Sequence, residues 1–163
     1  MKMRKLLAPV LGLSLMLPAA GAFAAEGTSA DYNPELQTRA IQFNMDSKMY
    51  MVNGMSMMMP MKPVVYMGTT YVPLRYLAAN ANMKTWYDPM TSTTWLDTGL
   101  ARYEFWTKGA NAKVYKVDNM RKALNDPIIS MNGHTLVPVR WFADNFEWNM
   151  MYSNGMITLS KTY

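Results

Sequence analysis

Methionine is the residue type whose number and spacing first suggest chemistry. The chain holds nineteen, and eight of them fall in one short stretch: Met45, Met49, Met51, Met55, Met57, Met58, Met59 and Met61. Thioether sulfur is soft and prefers Cu(I) or Ag(I) to hard cations. Three sulfurs within roughly 2.3–2.5 Å of one ion would make a site. Alternate residues of a strand share a face, which groups Met57, Met59 and Met61 as a candidate metal triad and sets Met49 beside Met51. The competing expectation is packing. Methionine is a flexible apolar filler, so the same alternation serves a core face or a sticky surface, and Met58 points away from Met57 and Met59.

Other chemistry is poorly supplied. His134 is the single histidine, whereas copper held by imidazoles needs several. It lies in a predicted turn and reads as an exposed loop residue. There is no cysteine, hence no thiolate nucleophile and no disulfide. The eleven acidic residues show no organising motif for glycoside hydrolysis; Asp88 and Asp97 flank a hairpin and read as turn formers. No glycine-rich phosphate loop follows a strand. The chain therefore reads as non-catalytic, with no cofactor. Large amphipathic rings concentrate binding energy, which makes Tyr50, Tyr66, Tyr71, Trp95 and Trp106 the candidate contacts with a partner.

The N-terminus reads as an export address. Lys2, Arg4 and Lys5 precede an apolar run from Leu6 to Leu17, and Ala22-Phe23-Ala24 supplies a small-x-small cleavage site. Residues 1–24 are thus a predicted signal peptide, 25–37 a flexible leader, and 38–163 the domain. The formal net charge is +5, but without those three cations thirteen basic residues face eleven acidic ones. The basic residues are scattered, so no nucleic-acid footprint is expected. Nothing after the signal is long and apolar enough to form a transmembrane helix.

The elements that must position these residues come in two copies. Thr70-Tyr71-Val72-Pro73-Leu74-Arg75 recurs sixty-five residues later as Thr135-Leu136-Val137-Pro138-Val139-Arg140. Pro63-Val64-Val65 matches Pro127-Ile128-Ile129, Ile41-Gln42-Phe43 matches Tyr103-Glu104-Phe105, and Trp86-Tyr87 matches Met151-Tyr152. The repeats span 38–98 and 102–161. Ile41, Phe43 and Met45 alternate with polar residues as in a half-buried strand, and a second strand runs from Met49 to Val52 into Asn53-Gly54, a strong turn signal. After each Val-Pro the period becomes helical. Leu74, Leu77, Ala78 and Ala81 form one stripe, and Val139, Phe142, Ala143 and Phe146 the other. Asn82 is placed to end the first helix in the left-handed conformation. Hairpins follow, at Met83–Tyr87 with Thr93–Leu96 and at Trp148–Tyr152 with Met156–Ser160. Arg75 and Arg140 are expected to tie each helix to a carboxylate or to strand carbonyls, with Asp88 a candidate acceptor.

A short helix with one apolar stripe must lie on a sheet. The expected class is α+β: two similar units, each an antiparallel sheet of about four to five short strands packed on one short helix. Val52-Asn53-Gly54, the run from Pro63 to Val72-Pro73-Leu74-Arg75, and Trp86-Tyr87-Asp88 together resemble the copper amine oxidase N-terminal (stalk) domain family of secreted bacterial proteins. The likeness extends from about Ile41 to Leu159. It departs from the family at Asn82 and Glu147, where glycine is usual, and in the methionine-rich strands. The resemblance implies a stalk that holds neither copper nor quinone. The expected role is that of an extracytoplasmic envelope module binding a protein partner or a cell-wall polymer, the alternative being a soft-metal binder.

Overall fold

The computed structural model describes residues 36–163; the predicted signal and most of the leader lie outside the described residues. The elements run β1 (Thr38–Asn44), β2 (Met49–Val52), β3 (Met55–Met58), β4 (Val64–Tyr66), β5 (Thr69–Pro73), α1 (Leu74–Asn80), β6 (Lys84–Asp88), β7 (Thr93–Asp97) and β8 (Arg102–Phe105). A 3-10 turn (Gly109–Lys113) leads to β9 (Val114–Val117), β10 (Met120–Ala123), β11 (Ile129–Met131), β12 (His134–Pro138), α2 (Val139–Asn145), β13 (Asn149–Ser153) and β14 (Met156–Thr162).

The strands form three antiparallel sheets, ordered β13-β14-β1-β2-β3, β10-β9-β8-β7-β6 and β11-β12-β5-β4. The expected sheets of four to five strands and two short helices are present, but one sheet per repeat is not. Every sheet takes strands from both halves of the chain. In the first, β1 runs against β14 from Thr38↔Thr162 to Asn44↔Met156. In the second, β7 continues into β8, and in the third β5 meets β12 about Val72↔Val137. The physical reason is edge satisfaction: a terminal hairpin leaves a row of unpaired N–H and C=O groups, and the other half's strand covers it.

Proline limits the shared ladder. Pro73 pairs with Leu136 and Pro138 with Tyr71, and a residue without an N–H cannot extend such a ladder inward. Each proline, at φ −58°, then serves as the N-cap of the helix that follows. Leu74, Leu77, Ala78 and Ala81 are buried, as are Val139, Phe142, Ala143 and Phe146. They join a single core that also takes in Ile41, Phe43, Leu96, Phe105, Ile157 and Leu159.

Both helices close in the left-handed region, at Asn82 (φ 58°) and at Glu147 (φ 57°). Only the former was signalled by residue type. The terminal carbonyls are capped by cations from β1 and β14: Arg39 donates to the Asn80 carbonyl at 2.9 Å and to Asn82 Oδ1 at 3.1 Å, and Lys161 Nζ to the Phe146 carbonyl at 2.8 Å. Asparagine repeats a second lock. Asn80 Nδ2 donates to the Tyr76 carbonyl at 2.7 Å and Asn145 Nδ2 to the Trp141 carbonyl at 2.8 Å, while Tyr115 donates its hydroxyl to Asn145 Oδ1 at 3.1 Å. Arg75 and Arg140 are exposed and, among the described residues, make neither a side-chain hydrogen bond nor an ion pair; Asp88 instead accepts from its own turn, from Thr91 Oγ1 at 2.7 Å and the Met90 N–H at 2.9 Å. Those bonds hold its carboxyl below the usual range, the Thr91 hydroxyl contributing most.

Candidate functional site

The sheet β6–β10 has one face on the core and one toward solvent. Alternation sends Leu96, Phe105, Tyr115 and Val117 inward and leaves Trp86, Trp95, Glu104, Lys116 and Arg121 on the opposite face. These five form a single rung, since Trp86 pairs with Trp95, Trp95 with Glu104, Glu104 with Lys116, and Lys116 with Arg121. Lys84, Asp97 and Arg102 make the adjacent rung.

The two indoles lie nearly parallel, 7° apart, with ring centroids 5.8 Å apart. The Arg102 guanidinium carbon sits 5.6 Å from the Trp86 ring and 5.9 Å from that of Trp95, within the range of cation–π attraction. Arg102 also pairs with Asp97 at 3.7 Å, and Lys116 pairs with Glu104 at 3.8 Å while lying 5.5 Å from the Trp106 ring. Trp106 is fixed by its Nε1–H, which donates to Thr93 Oγ1 at 3.0 Å. Such partly exposed pairs contribute about 0–1 kcal/mol each, so they can exchange partners with a ligand at small cost. Beside Trp95 and Arg102 opens a shallow cleft of about 500 Å³, walled by the turns at Gly99–Ala101 and Asp118–Asn119. Asp118 is committed to the fold, its Oδ1 accepting the Arg102 N–H at 3.0 Å.

The predicted contact residues divide. Trp95 and Trp106 lie on this face, and Tyr66 is exposed on β4. Tyr50 and Tyr71 are core residues instead. Tyr50 stacks on Phe43 at 5.5 Å, and Tyr71 donates its hydroxyl to the Pro127 carbonyl at 2.9 Å. Burial, with smaller contributions from Asp126 and Tyr66, pushes Tyr71 up to about 12. Tyr103 is also raised, chiefly by burial. Tyr50 points inward by strand alternation, whereas β5 is buried on both faces, Tyr71, Val72 and Pro73 all being buried, so Tyr71 is covered whatever its hydroxyl. Trp86, with 41 % of its surface exposed, is not among the contact residues expected from sequence, although counting back across the Asp88 turn places it opposite Trp95.

The candidate metal triad is dispersed. Met57 is exposed on β3, which ends at Met58. Met59, 1 % exposed, packs in the main core. Met61 belongs to a separate small cluster with Tyr71 and Leu136. His134 is half-buried at the start of β12, opposite Met131, rather than in an open loop. Of the repeated motif, Val72, Pro73, Leu74, Val137, Pro138 and Val139 are buried, and Arg75 and Arg140 are exposed. Among the described residues no group of three or more His, Asp or Glu is placed to hold a metal ion, and no helix is long and apolar enough to cross a membrane.

The copper amine oxidase N-terminal domain family matches the chain twice, over residues 8–96 and 51–160. No curated protein and no solved structure matches. The chain belongs to the copper amine oxidase N-terminal domain family, whose domain is non-catalytic and stalk-like.

Proposed function

We propose that this chain is a non-catalytic, exported envelope module that binds a cell-wall polysaccharide through the solvent face of β6–β10. The observation that carries the reading is the stacked pair of exposed Trp86 and half-buried Trp95, flanked by the Asp97–Arg102 and Glu104–Lys116 ion pairs. A pyranose ring has an apolar C–H face and a polar rim. Indole surface suits the first, and loosely paired carboxylates and cations suit the second. The open cleft leaves room for a chain of sugars rather than one enclosed ligand. Export is supported by the N-terminal pattern and by the extracellular habit of the family. Internal duplication is supported by the sixty-five-residue recurrence and by the two overlapping family matches.

The test is co-sedimentation of the mature protein with purified insoluble wall polysaccharide. The double variant Trp86→Ala/Trp95→Ala is expected to bind at least about tenfold more weakly, which corresponds to losing ~1.4 kcal/mol, with its fold retained by circular dichroism. Absence of wild-type binding, or equal binding by the variant, would overturn the reading in favour of a protein partner or another face.

A further inference from the structure

Met49 and Met51 share a face by alternation, as the sequence indicates, and the methionine that joins them comes from the neighbouring strand rather than from further along the same one. β2 and β3 form a two-residue hairpin through Asn53 (φ 49°) and Gly54 (φ 81°), which sets the register Met49↔Met58, Tyr50↔Met57, Met51↔Ser56 and Val52↔Met55. Tyr50 and Val52 are buried, so their partners Met57 and Met55 lie on the core side of the pleat. Met49, Met51 and Met58 therefore share the outer side. The backbone bond from the Met59 N–H to the Lys48 carbonyl, 2.9 Å, makes Met49↔Met58 a non-hydrogen-bonded pair, the type in which side chains lie closest.

We propose that Met49, Met51 and Met58 form a three-thioether site for a soft monovalent cation, Cu(I) or Ag(I), on the outer face of β2 and β3. The reading is independent of polysaccharide binding, which uses a different sheet. Opposite Cβ atoms lie roughly 4.5–5.5 Å apart and diagonal ones roughly 7–8 Å. Each methionine carries its sulfur two bonds beyond Cβ on freely rotating torsions, so three sulfurs reach a common point above the sheet without moving the backbone. Met49 and Met58 are exposed, at 41 % and 69 %, and Met51 is half-buried next to Met49 on the same face, so the ion has access and the sulfurs are not held in a core. The strand beyond offers Gln42 opposite Met51, with Thr158 beyond it. Those neighbours, like Ser56, are neutral, so no cation repels the incoming one within the rung, and no hard carboxylate there competes for it.

The test is titration of the mature chain with silver nitrate in chloride-free buffer, followed by NMR of ¹³C-methyl-labelled methionine. The Met49, Met51 and Met58 methyl signals are expected to shift together and to saturate at one equivalent. Replacing all three by leucine, similar in volume and placed mostly on the surface, should weaken the first equivalent by at least about a hundredfold; the Met55→Leu/Met57→Leu variant should bind as wild type. Retained affinity in the triple variant, first-equivalent shifts confined to other methionines, or no silver binding by wild type would each overturn the proposal. Should the triple variant fail to fold, the wild-type methyl shifts decide alone.

Discussion

The two five-stranded sheets differ on their outer faces and agree on their inner ones. Inside β1–β3, Phe43 stacks on Tyr50 at 5.5 Å and Tyr76 of α1 meets Tyr50 edge-on at 5.9 Å. Inside β8–β10, Phe105 stacks on Tyr115 at 6.1 Å and Trp141 of α2 meets Tyr115 edge-on at 5.3 Å. The outer rungs share no such pattern. One reads Met151–Thr158–Gln42–Met51–Ser56 across the sheet; the other reads Trp86–Trp95–Glu104–Lys116–Arg121. Inner positions answer to packing density, which tolerates little change of shape. Outer positions are released from that demand, so soft thioethers occupy one and indoles with charges the other. Both sets of side chains proposed to meet a ligand lie where the packing constraint is absent.

The largest effect tests the inner half of that comparison. Phe43 and Phe105 are both fully buried, so truncation of either to alanine should cost about 3–5 kcal/mol. Urea unfolding should report similar midpoints for Phe43→Ala and Phe105→Ala, with unchanged slopes. A cost below about 1 kcal/mol for only one of them would break the equivalence of the inner faces.

The four-stranded sheet sharpens it, since β5 is buried on both faces and Tyr71 carries a hydroxyl into the small cluster with Met61 and Leu136. Its pKa is raised from 10.0 to about 12. The folded state therefore holds the proton where the unfolded chain releases it, and this contribution, complete below pH 10, is lost as the pH rises toward 12. Tyr71→Phe should lose about 1 kcal/mol at neutral pH with the bond to Pro127 and should show a shallower decline in alkaline unfolding. An unchanged alkaline slope would mean that Tyr71 releases its proton at the same pH in the fold as in the unfolded chain.

How far these faces could be read from sequence follows from element length and register. The stripes at Leu74–Ala81 and Val139–Phe146 name their own burial, because a helical period reveals its face without knowledge of any neighbour. The β2 turn at Asn53-Gly54 was equally plain. β9 and β10 have four residues each, too few for a period to emerge, so Lys116 and Arg121 were passed over. Extending strand alternation from Met57 to Met61 failed because β3 ends at Met58 and Met59 turns into the core. Pairing between β14 and β1 joins residues more than a hundred apart and leaves no local mark. The helix stripes and the hairpins around them are legible in sequence; the shortest strands and sheet membership are not.

The smallest effect concerns the two helix ends. Asn82 and Glu147 both adopt positive φ, a conformation that asparagine tolerates and that costs other side-chain-bearing residues about 1–2 kcal/mol. Glu147 gains little in return, since its pair with Lys161 at 3.8 Å is made by a carboxylate 88 % exposed. Asn82, by contrast, accepts a hydrogen bond from Arg39. Glu147→Gly should therefore raise stability by about 0.5–1 kcal/mol after the added backbone entropy of glycine, seen as a rise of a few degrees in thermal melting. Asn82→Gly should give no gain. A stabilising Asn82→Gly with a neutral Glu147→Gly would reverse the assignment of strain, placing it at the end whose residue type looked suited to it.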